Sequence, residues 1–171
     1  MRSPVKYIIV AVLLILAQGA LDNYVNISIY LDIAMCLYLL LALPVRWGTV
    51  PAMLAGFVIG LLVDILGNGI LGMSAAAMTA AGLCRRGIFN LTAPKENEKR
   101  QSIETIGIRS FIYYSAPLTV IYLAVYILLD SSGFRPAGFC LARLGISAAV
   151  NTALMAFLYA ISSDNRKRRM R

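Results

Sequence analysis

Residues 49–84 decide the fold, and their sequence is TVPAMLAGFVIGLLVDILGNGILGMSAAAMTAAGLC. Two apolar runs, residues 49–66 and 70–84, are separated only by the short turn Gly67-Asn68-Gly69. Helices that are joined by so short a connection pack side by side and antiparallel. The stretch therefore predicts an antiparallel hairpin of two short apolar helices.

The rest of the chain is as apolar as this hairpin. Of its 171 residues, 60% are hydrophobic and 14% are charged, and the mean hydropathy of +0.76 lies outside the usual range of soluble globular domains. Apolar runs recur along the whole length and leave no segment for a separate soluble domain. The runs cover about 7–21, 27–43, 49–66, 70–84, 106–129 and 137–161. We therefore predict a single all-α membrane domain over residues 1–171, a bundle of about six transmembrane helices.

The first apolar run, residues 7–21, has two interpretations. Because Arg2 and Lys6 precede it, it resembles a secretory signal peptide as well as a transmembrane helix. Residues 17–20, however, form only a poor cleavage site, and the chain stays apolar after them. A mature soluble protein would become polar at that point, so we predict that this run is the first transmembrane helix.

The distribution of lysine and arginine predicts the orientation of the helices, because positively charged loops are retained on the cytoplasmic side during insertion. Six spans place 14 of the 16 cationic residues on one side, whereas the other side receives Arg135 alone and Arg143 lies within the last span. We therefore predict a multi-pass protein of the bacterial inner (cytoplasmic) membrane with both termini in the cytoplasm. The 14 residues are Arg2, Lys6, Arg46, Arg85, Arg86, Lys95, Lys99, Arg100, Arg109, Arg166, Lys167, Arg168, Arg169 and Arg171.

Two hydrophilic segments carry most of these cations. Residues 85–105 predict a cytoplasmic loop, and residues 165–171 form a basic cytoplasmic tail. We interpret the tail as a topology anchor rather than as a nuclear signal or a patch for anionic lipid. A net charge of +8 also raises the question of nucleic acid, but the cations form no basic face with interleaved aromatic residues, so no nucleic-acid partner is predicted.

Histidine and the sequence motifs that soluble enzymes and metal sites use are missing from the sequence. It contains no histidine, and its three cysteines, Cys36, Cys84 and Cys140, lack the spacing of metal ligands. There is also no Walker A loop, no glycine-rich dinucleotide fingerprint and no serine nucleophile elbow. We therefore predict no catalytic, cofactor-binding or metal-binding residue.

Small side chains repeat along one face of the third predicted helix. Ala52, Gly56, Gly60 and Asp64 follow one another at intervals of four residues, so they form one stripe. In lipid, helices associate through close contact of small residues, because apolar burial gains little against lipid tails. The stripe therefore predicts a helix contact with Asp64 buried in it, and Gly67 and Gly72 are predicted to be structural. The same spacing recurs on the fourth and sixth helices, at Gly72, Ala76, Ala80 and Cys84 and at Ala148, Thr152, Ala156 and Ala160.

Three charged residues, Asp32, Asp64 and Arg143, fall inside predicted spans, where each charge costs roughly 2.5 to 3.5 kcal/mol on insertion scales. Arg143, Ser147 and Asn151 also share one stripe of the sixth helix. Two interpretations stay open for these five residues. They form a polar pocket or proton path, or they pair with one another and reach the membrane interface, which fixes the packing.

Asp64 in particular needs a partner, since an unpaired carboxylate is costly at a buried interface. The sequence leaves two partners open. One is Arg143, the basic residue in the outer half of a span, and the other is the set of backbone amides of residues 67–72, because the start of a helix accepts anions.

Residues 41–86 resemble the bacterial rod shape-determining protein family MreD. The similarity lies in an apolar helix that ends in Gly-x-x-x-Asp, here Gly60 and Asp64, followed by a glycine-containing turn and by Leu71-Gly72 at the start of a small-residue helix. The Phe-Arg-Pro turn of residues 134–136, the basic tail and the chain length are also similar to the family.

The resemblance implies a non-enzymatic scaffold in the machinery that elongates the bacterial cell wall and maintains rod shape. Implied partners are the bitopic protein MreC, the elongation-specific glycosyltransferase and transpeptidase that synthesise peptidoglycan, and the actin-like MreB. The resemblance also implies a fold like that of the substrate-binding subunits of energy-coupling-factor vitamin transporters.

Such a transporter subunit is therefore the alternative function. The first helix lacks the Ala-x-x-x-Ala docking motif of those subunits, and the predicted outer loops contain only a few residues. An enzyme of lipid or wall-precursor chemistry is a third class, which would need clustered carboxylates or histidine at one membrane face. Asp22, Asp64 and Asp130 share the predicted outer face without such companions.

Overall fold

The computed structural model describes residues 4–24, 31–44, 47–67, 70–92, 107–131 and 136–169. These residues fold into helices, and no strand occurs among them. The prediction of an all-α fold is therefore confirmed. The helices are α1 (Pro4–Tyr24), α2 (Leu37–Ala42), α3 (Thr49–Leu66), α4 (Met73–Thr92), α5 (Ile108–Ser131) and α6 (Ala137–Arg169).

Three helical segments are long and apolar enough to cross a membrane, namely Thr49–Leu66, Ile108–Ser131 and Ala137–Ser162. α1 adds a shorter apolar stretch, Ile8–Asn23. Large apolar side chains also point outward, as Leu13 of α1 and Leu54 of α3 do with 61% exposed each, which lipid accommodates better than water. The protein is therefore a membrane protein, and the number of six spans stays a prediction.

Consecutive helices pack against one another from α3 to α6, and α1 packs on α3. The short helix α2 contacts α3 and α4 and is almost completely buried, since Leu37, Leu40 and Leu41 have no exposed surface. A six-residue helix would not persist alone. The surrounding long helices therefore stabilise it through apolar packing.

The predicted helix over residues 27–43 is wrong over residues 31–36. Residues 31–34 have no regular structure, Met35 and Cys36 form a turn, and only Leu37–Ala42 is helical. The reason is that side chains of Gln18, Ser147 and Asn151 bond to the backbone of residues 32–35, which replaces helical hydrogen bonds. Residues 27–30 lie outside the described residues.

The predicted loop over residues 85–105 is wrong over its first part, since α4 continues to Thr92. Arg85 and Phe89 lie on the buried face of this extension, with 4% and 5% exposed. Tertiary packing therefore stabilises the helix beyond the arginine pair at which it was predicted to end. α4 also begins at Met73, later than the predicted residue 70. Residues 93–105 lie outside the described residues. At the other end of the chain, α6 continues to Arg169, so most of the predicted tail is helical.

The predicted packing stripe of α4, Gly72, Ala76, Ala80 and Cys84, is wrong, because a different face of the helix packs against α3. Ala76 is exposed, and the face that packs toward α3 carries Ala75, Met78 and Gly82 instead. The backbone of the turn before α4 sets the direction in which each face of the helix points. In this turn Gly72 has a φ of +101°, a conformation that glycine adopts without strain.

Candidate functional site

The contact between α3 and α4 is close enough for backbones to touch. A Cβ atom on Gly60 would lie 2.5 Å from the Cα atom of Ala75, and one on Gly56 would lie 2.7 Å from the carbonyl oxygen of Met78. From the other side, a Cβ atom on Gly82 would lie 2.9 Å from the carbonyl oxygen of Ala52. These glycines therefore leave no space for any side chain, as close helix packing in lipid requires.

Asp64 lies at the end of this contact and caps α4. It is 5% exposed, and its carboxylate accepts hydrogen bonds from the backbone amides of Gly72 at 2.8 Å, Ser74 at 3.0 Å and Ala75 at 3.2 Å. These amides have no partner inside the helix, and a carboxylate also interacts favourably with the helix dipole there. Of the two partners that the sequence left open, the structure places backbone amides, and not Arg143, at Asp64. Only Gly72 belongs to the predicted range 67–72, because the amides of Ser74 and Ala75 follow it in the first turn of α4.

We expect Asp64→Asn to lower the free energy of unfolding by about 1–3 kcal/mol, because an amide group offers one acceptor oxygen and turns its own donors toward the backbone amides. The effect should add to that of Arg143→Gln within about 0.5 kcal/mol, since the two side chains share no partner. Unfolding of the purified single and double variants in detergent measures this sum. A double variant that is clearly more stable than the sum would place Arg143 at Asp64 after all.

The second polar cluster surrounds Arg143, a residue of α6 that is 8% exposed. Its Nε and Nη2 atoms donate to the two carboxylate oxygens of Asp32, each at 2.7 Å, which is a bidentate pair. Its Nη1 atom donates to the carboxylate of Asp130 at the end of α5. One guanidinium therefore joins the irregular segment, α5 and α6.

Ser147 and Asn151 continue this cluster along α6, one and two turns after Arg143. The amide of Asp32 donates to Ser147 Oγ at 2.9 Å, and the amide of Ala34 donates to Asn151 Oδ1 at 2.7 Å. Asn151 Nδ2 donates in turn to the carbonyl oxygen of Asp32 at 2.5 Å. The structure thus brings together four of the five residues of the predicted polar pocket, and Asp64 lies apart from them.

Gln18 is a member of this polar region that the sequence interpretation missed. It is 4% exposed on α1, its Nε2 atom donates to the carbonyl oxygen of Ile33 at 2.5 Å, and its Oε1 atom accepts from the amide of Met35 at 2.7 Å. The signal was present, because Gln18 is a lone amide in an apolar run. Residues 17–20 are interpreted above only as a poor cleavage site.

Arg85 is the second residue that was missed, because it was counted among loop charges. Its Nε atom donates to the hydroxyl of Tyr114 at 3.0 Å, and its Nη2 atom donates to the carbonyl oxygen of Leu43 just after α2. Nη1 lies 3.5 Å from the carbonyl oxygen of Pro44. A cation at carbonyls that end a helix is favourable, so Arg85 anchors α2 to α4 and α5.

The polar contacts of Asp64 and those around Arg143 join helices to one another and leave few polar atoms without a hydrogen bond. Within the described residues, every buried side-chain nitrogen or oxygen atom has a hydrogen-bond partner, and no group of three histidine, cysteine or acidic residues could hold a metal ion. A fully satisfied polar network makes the packing unique. In the part of the chain that the structure describes, the geometry supports a structural role for Asp32, Asp64, Arg143, Ser147 and Asn151.

No protein-family model, no curated protein and no solved structure matches the chain. The similarity of residues 41–86 to the MreD family therefore stays a prediction.

Proposed function

We propose that this protein is a non-enzymatic membrane scaffold of the bacterial cell-wall elongation complex, of the MreD type. The observation that carries the proposal is that Gly60, Asp64 and Gly72, the residues on which the resemblance rests, all lie in the contact between α3 and α4. Gly60 contacts the backbone of α4, and Asp64 accepts the amide of Gly72 at 2.8 Å. The pattern thus serves to join two helices, which suits a scaffold.

The polar network supports the same proposal. Arg143, Asp32 and Asp130 neutralise one another, and Ser147 and Asn151 bond to the backbone, so the network does not present a row of donors to a small substrate. Catalysis would need a nucleophile or a base with free access to a reacting group. A scaffold needs only a rigid surface for its partners.

We also propose that the protein lies in the cytoplasmic membrane, spans it six times and has both termini in the cytoplasm. The proposed partners are MreC, the elongation-specific glycosyltransferase and transpeptidase, and MreB. MreB would contact the cytoplasmic side, where the excess of lysine and arginine retains the loops during insertion.

Labelling of single cysteines tests the orientation. In a variant without Cys36, Cys84 and Cys140, we expect a membrane-impermeant maleimide added to intact spheroplasts to label a cysteine at residue 132 but not one at residue 97. Both positions lie outside the described residues. Lysed cells serve as the control, since both cysteines should then react. Labelling of residue 97 alone in intact spheroplasts would reverse the proposed topology.

Depletion and replacement test the function. In a rod-shaped bacterium whose own MreD is depleted, we expect this chain, expressed together with its cognate MreC, to restore rod shape and to be recovered with MreC from detergent extracts. Gly87→Ala, a change on the exposed side of α4 with nothing within 4 Å of the new Cβ atom, should act like the unaltered chain. Cells that stay round although the chain accumulates and folds would refute the scaffold proposal.

Vitamin uptake by cells that express the chain or its Asp64→Asn variant separates the scaffold from the alternative, a substrate-binding subunit of a vitamin transporter. An Asp64→Asn protein that assembles with MreC at normal levels and yet loses vitamin uptake would favour the transporter. We expect instead that any loss of function follows the loss of folded protein.

A further inference from the structure

An open apolar groove of about 490 Å³ lies between α5 and α6. Ile112, Ala116 and Val120 form its α5 wall, and its α6 wall consists of small side chains. On α3, by contrast, large side chains such as Phe57 cover the outward face. The residues of the α6 wall are Ala148, Ala149, Thr152, Ala153 and Ala156.

One end of the groove is cationic. Arg109 is exposed and lies three residues before Ile112, so both lie on the same side of α5. It has no ion pair among the described residues. The rings of Phe111 and Tyr159 stack 4.3 Å apart, so the part of α6 that follows the groove lies at this same end of the bundle.

We propose that the groove binds an acyl chain of an anionic phospholipid whose headgroup phosphate contacts Arg109. From Ile112 to Val120 the helix rises about 12 Å, which is close to the roughly 15 Å of hydrocarbon in one leaflet. The groove therefore has the length of an acyl chain, and the cation lies where the headgroup of that lipid would be. The first amides of α5, which begins at Ile108, add to the positive potential.

Charge complementarity carries the preference for this occupant. An acyl chain gains little by leaving bulk lipid for an apolar groove, so neither the alanines nor Ile112 distinguish one lipid class from another. The guanidinium does, because a basic residue near the membrane surface favours an anionic over a zwitterionic headgroup by about fivefold. The groove fixes where the lipid lies, and Arg109 selects its headgroup.

The test uses the full-length protein in bilayer nanodiscs of equal parts phosphatidylglycerol and phosphatidylcholine with identical acyl chains. After release into mild detergent, native mass spectrometry counts the lipids that stay bound. We expect the protein to retain more phosphatidylglycerol than phosphatidylcholine, and we expect Arg109→Gln to lower the ratio of retained phosphatidylglycerol to phosphatidylcholine by up to about fivefold. Ala116→Leu, which fills the groove, should lower the retention of both lipids.

Two control variants make the result specific. Arg86→Gln removes an exposed charge of the same sign from α4, and Ala142→Leu adds the same bulk to an exposed position of α6 outside the groove. Ala142→Leu should leave lipid retention unchanged, and Arg86→Gln should change the ratio of the two lipids much less than Arg109→Gln does. Equal retention of the two lipids by the unaltered protein would overturn the proposal, as would an Arg86→Gln effect as large as that of Arg109→Gln. If Ala116→Leu instead changes the oligomeric state or releases a bound transmembrane helix while lipid retention is constant, the groove is a protein interface and not a lipid site.

Discussion

Replacement of Gly60 by alanine should destabilise the protein, whereas the same replacement at Gly87 should stabilise it. A Cβ atom on Gly60 would lie 2.5 Å from the Cα atom and 2.6 Å from the amide nitrogen of Ala75. Because both are backbone atoms, no side-chain rotation relieves the clash, and α3 must move away from α4. We expect this overpacking to lower the free energy of unfolding by about 1–3 kcal/mol. Leucine at the same position should prevent α3 and α4 from packing together at all.

Gly87 lies within α4 with nothing within 4 Å of its Cβ position, so alanine there removes only the conformational freedom of glycine and should gain about 1 kcal/mol. Thermal unfolding of the two variants in the same detergent measures the difference, and its opposite sign separates packing from helix propensity. If Gly60→Ala melts at the temperature of the unaltered protein or above it, α3 and α4 do not touch as described.

The stripe of α3 could be predicted from the sequence because it depends on one local periodicity. Ala52, Gly56, Gly60 and Asp64 repeat every four residues, and the structure buries all four. The face of α4 that contacts this stripe could not be predicted. The turn before α4 and the hydrogen bond from the amide of Ser74 to Asp64 set the rotation of the helix. Several faces of α4 carry small residues, and spacing alone does not choose among them.

The break in the second apolar run shows a different limit. Residues 31–36 are apolar apart from Asp32, so local propensity favours a helix. Their structure depends on hydrogen bonds to Ser147 and Asn151, which are more than a hundred positions away in the chain. Non-helical backbone is tolerated at membrane depth only where protein groups satisfy it. The polar stripe Arg143-Ser147-Asn151 on α6 is therefore the feature of the sequence that corresponds to the irregular backbone of residues 31–34.

The same reasoning applies to Arg85. In a membrane protein an arginine pair at the end of an apolar run usually indicates the membrane boundary, and for this reason the helix was predicted to end there. The structure instead buries Arg85 against the carbonyl oxygen of Leu43 and the hydroxyl of Tyr114. The sequence predicts the helix end at residue 43 that supplies one of these acceptors, but it gives no sign that this end lies beside Arg85 of α4.

The second large effect is expected from Arg143→Gln, because this change breaks the ion pairs with both Asp32 and Asp130. Loss of one partner of a buried pair costs about 3–5 kcal/mol, since it leaves charge buried without compensation. The irregular segment at residues 31–34 would also lose its anchor on α6. We therefore expect Arg143→Gln to lower the thermal stability far more than Arg86→Gln, which removes an exposed cation and should have almost no effect.

The two carboxylates should not contribute equally. Asp32 accepts two hydrogen bonds from Arg143 and has 18% of its side chain exposed, whereas Asp130 accepts one and has 30% exposed. Asp32→Asn should therefore destabilise the protein more than Asp130→Asn does. In combination with Arg143→Gln, Asp32→Asn should cost less than the sum of the single changes, because no orphan charge is left on that pair. Thermal unfolding of the four variants in one detergent gives these differences, and strict additivity of Asp32→Asn and Arg143→Gln would show that the two side chains do not pair in the folded protein.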